Sequence, residues 1–278
     1  MKLPLPGDCS VALIDNIVRE REGGVNAAYF SGICNEWRTR VREYVDRRGD
    51  PESVKTWPAI APYRTRFLTL YNTPRENSVQ HAILKRLRER KLQLCPSCGE
   101  EGVPNTLDHY LPKESYPHFA VTPANLTPMC DGCQGAKGTQ TVDQNGIRIF
   151  LHPYFDDFLD VQVVRLLIGR PFEAPEDFIL EADLDLPDEH SALVQRHIEG
   201  LELQRRYGAF FREEYVRLMR LAQEARSKGT DILEDIPRFK RLHELRNPNA
   251  WPHVFYAAVV EDEELLAYLS AGELPPML

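Results

Sequence analysis

The sequence predicts an α+β protein, mostly helical, with one small cysteine-framed module set between two helical regions. Three observations predict it. Stretches at both ends repeat apolar residues every three or four positions, the spacing of an amphipathic helix. Between them, from Leu94 to about Thr139, the chain turns to Cys, Pro, Gly and Asn with only short apolar pieces. Such a segment has many turns and little core of its own. Beyond it lie short runs of strand-like composition. The expected divisions are 1–92 (N-terminal helical region), 93–157 (the module) and 158–278 (mainly helical C-terminal region).

The elements follow in order. Val11 to Glu20 carries helical spacing, and a second helix is expected from about Val25 to Arg48, ended by Gly49-Asp50-Pro51. Its Tyr29, Ile33, Trp37, Val41 and Tyr44 recur on one face and are expected in the core. A Pro-rich connector, Trp57 to Tyr63, precedes a short apolar segment at Phe67 to Leu70. Arg75 to Lys91 reads as a helix with Val79, Ile83 and Leu87 turned inward. Ile147–Leu151, Val161–Leu167 and Phe178–Leu186 have strand-like composition, although runs this short leave helix and strand open. His190 to Arg226 is the strongest helix, closed by Gly229, and a last helical region spans about Trp251 to Tyr268.

A chain of 278 residues can bury a sizeable core. Its net charge of −8 argues against a surface that coats polyanions nonspecifically. A local basic face remains available, because Lys85, Arg86, Arg88, Arg90 and Lys91 are opposed only by Glu89. The same residues read equally well as a solvated helix face. Acid is concentrated from Glu173 to Glu189. No apolar run reaches membrane-spanning length, and Met1 to Pro6 lacks a signal peptide's apolar core. A soluble, cytoplasmic protein with no membrane partner is therefore expected.

Of six cysteines, Cys9 and Cys34 read as small buried apolar residues. The other four form two knuckles, Cys95-Pro-Ser-Cys98 and Cys130-Asp-Gly-Cys133. Each places two sulfurs on a tight turn, and together they fill a tetrahedral zinc with no open position, so the site is structural. The 31 residues between the pairs exceed the roughly 15–20 of a common zinc ribbon. Chemistry-bearing residues account for the excess.

Within that loop, Thr106-Leu-Asp108-His109 ends a short apolar piece with a carboxylate beside an imidazole. Neighbouring side chains on a strand face opposite ways, so both can serve one site only if the strand ends there. Asp108 is then placed to reach a divalent metal, and His109 to deprotonate a water for in-line attack on phosphorus. Asn125 is of the type to hold the His109 ring or its backbone. Gln134 follows the last cysteine, where its side chain can complete the metal site, and Lys137 suits phosphate. His118, between the motifs, is expected to be exposed.

The run Cys95-x-x-Cys98, Leu107-Asp-His-Tyr-Leu-Pro-Lys113, Tyr116-Pro117, Pro123-Ala-Asn125-Leu, Cys130-x-x-Cys133, Lys137-Gly138 resembles the HNH endonucleases, the His-Me or ββα-metal finger nucleases, in their four-cysteine zinc form. The resemblance covers about 45 residues. It implies a β-hairpin followed by a helix, and a catalytic Mg²⁺ or Mn²⁺ distinct from the zinc. By position, His109 matches the general base, Asp108 the first metal ligand and Asn125 the central asparagine. Gln134 stands where that family usually carries His or Asn. The residues expected to meet phosphate or DNA are Lys137, Lys113, Arg86 and Arg90. Phe150-Leu-His152-Pro-Tyr154-Phe-Asp156 also resembles a segment of bacterial stand-alone HNH proteins, several of which serve in anti-phage defence beside an ATPase or another sensor. The expectation is a DNA endonuclease acting with such a partner. An RNase on the same finger and a non-catalytic zinc-bearing adaptor are the rivals.

Overall fold

The structure, a computed structural model, describes residues 1–276. It is α+β, with two small antiparallel hairpins among helices. The chain divides into two compact units. One comprises Lys2–Ser97 and Gly102–Asp157; the other comprises the chain from Phe158 onward with Met1 and Cys98–Glu101.

In the first unit, α1 (Ser10–Arg19) and α2 (Ala27–Asp46) are followed by α3 (Arg64–Asn72) and α4 (Val79–Arg88). Helix α2 buries Phe30, Trp37, Val41 and Tyr44, one stripe at helical spacing. Phe67 of α3 stands edge-on to both Phe30 and Trp37, with ring centroids 5.8 and 5.1 Å away. The last turn of α4 carries Lys85, Arg86 and Arg88, cations that suit the negative end of the helix dipole.

The module then forms β1 (Thr106–His109), β2 (Leu126–Met129) and α5 (Asp131–Lys137). The two strands pair antiparallel with Asp108 opposite Thr127 and His109 opposite Leu126. Residues 102–157 do not stand as a compact unit by themselves; they cluster with the N-terminal helices. The reason is core size, because the hairpin needs a foreign apolar floor. Trp37 donates its indole N–H to the His118 carbonyl at 2.7 Å, and Tyr44 packs on Phe119 with centroids 4.9 Å apart.

Ile147–Leu151 forms no strand; one isolated bridge, Val142 with Arg148, is all that pairs there. That segment serves instead as a buried polar brace. Arg148 donates to the Tyr110 hydroxyl at 2.7 Å and grips Asp156 with both terminal nitrogens, at 3.1 and 2.5 Å. Cys9 is exposed and Cys34 half-exposed, so neither is the buried apolar residue expected.

The second unit opens with the hairpin β3 (Val164–Ile168) and β4 (Phe178–Ala182), followed by α6 (Asp188–Gly200), α7 (Leu203–Lys228), α8 (Ile236–Glu244), α9 (Trp251–Glu261) and α10 (Glu263–Ala271). The single helix expected over 190–226 is two, broken where Glu202 takes a left-handed φ of +52°. Gly229 does close α7, at φ +69°. The last helical region is also two, because Asp262 caps α10 by accepting from the Leu265 N–H at 2.9 Å. Among the described residues, no helix is long and apolar enough to cross a membrane.

Candidate functional site

The sulfurs of Cys95, Cys98, Cys130 and Cys133 all lie within 4.8 Å of one another. Four thiolates at the usual zinc–sulfur distance of about 2.3 Å define a tetrahedron with edges of about 3.8 Å. The sulfurs of Cys95 and Cys133 are 3.9 Å apart. Backbone amides face them as knuckle turns require: the Cys130 N–H points at the Cys95 sulfur (3.4 Å) and the Cys133 N–H at the Cys130 sulfur (3.5 Å). The donor set therefore fits a structural zinc ion.

The turn carrying Cys98 is fixed within the second unit. Trp251 donates its indole N–H to the Cys98 carbonyl at 2.6 Å, and Arg206 reaches both the Cys98 sulfur (3.7 Å) and Glu100 (2.6 Å). Gly99 adopts φ +77° with the Asn249 carbonyl so close that an added Cβ would lie 1.8 Å from it.

Strand β1 ends at His109, which pairs with Leu126, one position beyond Asp108 opposite Thr127. The imidazole is buried and its Nε2 lies 2.9 Å from the Ala120 carbonyl. A carbonyl only accepts, so Nε2 carries the hydrogen and Nδ1 keeps the lone pair. Burial pushes the His109 pKa down to about 3, with the Ala120 carbonyl opposing and Lys113 and Lys137 adding to the effect. The ring is therefore neutral at any ordinary pH, with Nδ1 as its basic atom. Tyr71, from α3, stands edge-on to it at 4.4 Å and donates its hydroxyl to the Leu107 carbonyl at 2.9 Å.

Asn125 is fully buried, and it holds the backbone beyond the ring rather than the ring itself. Its Oδ1 accepts from the Leu111 N–H (2.8 Å), and its Nδ2 donates to the carbonyls of Leu111 (3.0 Å) and Phe119 (3.4 Å). Since Ala120 adjoins Phe119, the same amide positions the carbonyl that orients His109.

Asp108 is buried, and its Oδ2 lies 2.9 Å from the Lys137 ammonium in an ion pair too oblique to count as a hydrogen bond. Lys137 is also buried and donates to the His109 carbonyl at 2.9 Å. It thus faces inward to Asp108 and the β1 backbone, not outward to phosphate. Gln134, three residues earlier on α5, shares its helix face, is half-buried, and makes no side-chain hydrogen bond among the described residues. A carboxylate oxygen and a neutral amide oxygen are donors suited to a hard divalent ion such as Mg²⁺ or Mn²⁺.

The remaining expected residues have partners of their own. Lys113 pairs with Glu114 at 3.2 Å, and its ammonium lies 5.9 Å from the Tyr71 ring centre. Arg86 pairs with Asp8 at 2.5 Å, and Arg90 donates to the Tyr154 hydroxyl at 3.1 Å. His118 is wholly buried, against the exposed position expected. His152 and Asp156 belong to the brace: His152 Nδ1 accepts from the Tyr154 N–H, and Asp156 accepts from the His152 N–H at 2.6 Å.

Two neighbours of the site were not legible beforehand. Thr127, directly across the hairpin from Asp108, shares its face and has a buried hydroxyl without a partner among the described residues. Tyr71 lies 38 positions before His109 in the chain, and nothing local links the two.

Among known proteins, protein ea31 of Escherichia phage lambda is similar to this chain, 27% identical over 188 residues. The match covers 61% of this chain and 62% of that protein, short of two thirds of either. No family model matches the chain, and no solved structure matches it.

Proposed function

We infer that this protein is a metal-dependent endonuclease that hydrolyses DNA phosphodiester bonds with His109 as general base. The observation that carries the reading is the fixed tautomer: Ala120 holds Nε2–H, leaving Nδ1 as the only basic atom of a neutral ring, one position after Asp108 in the chain. In the reaction Nδ1 takes a proton from water as its oxygen attacks phosphorus, and the 3′ oxygen departs in line. Asp108 and Gln134 would hold the Mg²⁺ or Mn²⁺, which when bound offsets charge on the phosphate and leaving oxygen. Asn125 keeps the loop that aims the base, and the cysteines keep the hairpin and α5 in register through zinc. The surroundings of the fold support a polyanionic substrate. The unit bearing β1, β2 and α5 has 20 Lys and Arg against 17 Asp and Glu, whereas the other has 14 against 25.

The setting, a cytoplasmic nuclease effector of bacterial anti-phage defence working with an ATPase or sensor partner, rests on the sequence resemblance alone. A net charge of −8 is in keeping with weak intrinsic DNA affinity and dependence on a partner. A second reading, a non-catalytic zinc-bearing adaptor, is favoured by one observation, the Lys137 ammonium already seated on Asp108.

Cleavage of plasmid DNA and of RNA with Mg²⁺ or Mn²⁺, and again with EDTA, separates these readings when wild type and His109→Ala are compared. Metal-dependent DNA nicking that falls at least a thousandfold in a folded, zinc-containing His109→Ala protein is expected, in line with the loss of a general base and the groups acting with it. Nicking that persists in the variant rules out His109 as the base. Cleavage of RNA alone replaces the DNA reading.

A further inference from the structure

We propose that Arg88, held on the ring of Tyr71, is the cation that receives the DNA backbone beside the scissile phosphate; this rests on the nuclease reading above. Three side chains stack into one feature. The Tyr71 ring stands against the His109 imidazole with centroids 4.4 Å apart, and the Arg88 guanidinium lies over the same Tyr71 ring at 5.3 Å. Taken end to end, these distances put the guanidinium carbon within about 10 Å of the base's ring. Tyr71 is itself pinned, because its hydroxyl donates to the carbonyl of Leu107 on the strand that carries Asp108 and His109.

Partnering separates Arg88 from its neighbours. Arg86 is spent on Asp8, Lys113 on Glu114, Lys85 lies 3.9 Å from Glu89, and Arg90 is turned to Tyr154. Lys137 is buried on Asp108. Arg88 is exposed and makes no ion pair among the described residues; its one described contact is the aromatic shelf. A guanidinium lying over an aromatic face keeps its N–H fork directed outward, and that fork matches two phosphate oxygens. Arg88 is thus a positioning residue: it places the strand so that the phosphorus meets the water served by Nδ1, and it takes no proton itself.

The test is binding of a labelled DNA duplex in EDTA across a salt series, which needs no cleavage, followed by kinetics with Mn²⁺. The proteins are full-length wild type, Arg88→Ala, Arg88→Lys, Tyr71→Leu, Tyr71→Phe and the exposed control Arg42→Ala. Expected is a weakening of about tenfold for Arg88→Ala, with the slope of log affinity against log salt shallower by about one. Arg88→Lys restores the slope but only part of the affinity. Tyr71→Leu reproduces Arg88→Ala, Tyr71→Phe, which keeps the ring but loses the bond to Leu107, falls between it and wild type, and Arg42→Ala stays near wild type. In turnover the Arg88→Ala loss appears in KM more than in kcat. An Arg88→Ala protein with wild-type affinity and slope overturns the proposal, as does wild type that binds no duplex. A slope carried by Arg88 on RNA but not on DNA overturns the polymer assigned. Arg88-dependent duplex binding together with metal-dependent cleavage that is unchanged in His109→Ala sinks the His109 reading while leaving Arg88 as a DNA contact.

Discussion

His118 shows how much a single side chain's surroundings decide. It sits fully buried among Trp57, Tyr116 and Phe119, and neither ring nitrogen has a partner among the described residues. Burial, with Arg40 adding to it, pushes its pKa from 6.5 down to about 3. Between these values the unfolded chain binds the proton and the folded chain does not. Stability that is full above pH 6.5 is therefore lost as the pH falls through that window, by up to about 1.4 kcal/mol per pH unit. A His118→Phe protein keeps the ring volume, abandons no hydrogen bond and escapes this loss. Its melting temperature is expected to exceed that of wild type by a margin that widens from pH 7.5 to pH 5. Parallel curves across that range would refute the account. The sequence offered no sign of this, because a histidine in a polar loop looks solvent-facing until Trp57 and Trp37 are known to close over it.

At the scale of elements, local chemistry was legible and long-range chemistry was not. The CxxC knuckles, the strand ending at His109 and the cap at Gly229 are written in adjacent residues, and the expected positions hold good. The break between α6 and α7 falls on Glu202, a residue that rarely adopts positive φ, so no composition signal marks it. Helix α8 was missed because Pro237 and a cluster of charges disguise a short amphipathic turn. The basic run around α4 was legible, but not which of its cations are already partnered, since the sequence does not reveal that Asp8 and Tyr154 claim Arg86 and Arg90. The first knuckle gives a test at this scale. Gly99→Ala should destabilise by roughly 2–4 kcal/mol, because a Cβ cannot coexist with the Asn249 carbonyl at positive φ. Gly135→Ala, inside α5 with nothing within 4 Å, should be neutral or stabilising by roughly 0.5–1 kcal/mol. Thermal melts that rank the two the other way would show the contact to be unimportant.

Taken whole, the molecule divides its charge unevenly, a net +3 on the unit with β1 and β2 and −11 on the other. The overall −8 thus conceals a basic half, which a chain-wide sum cannot show. Metal matters at this scale too, because a segment with little core depends on its ligand for order. Purified protein is expected to carry one zinc per chain, and Cys130→Ser to lose it together with cooperative melting. Stripping zinc with a strong chelator should lower the melting temperature by well over the ~4 °C that about 1 kcal/mol is worth at smaller sizes. A metal-free sample that melts with the untreated one would mean that the four sulfurs hold nothing of structural weight.

Asn125 does with one side chain what a strand does with its backbone: it offers a donor and an acceptor to the N–H and C=O of one residue, Leu111. That pairing sets a narrow vocabulary. Aspartate has the reach but lacks the donor, glutamine has both groups one methylene too far out, and serine falls short of the partner. Where most buried positions accept several residues of similar volume, this one admits a single letter.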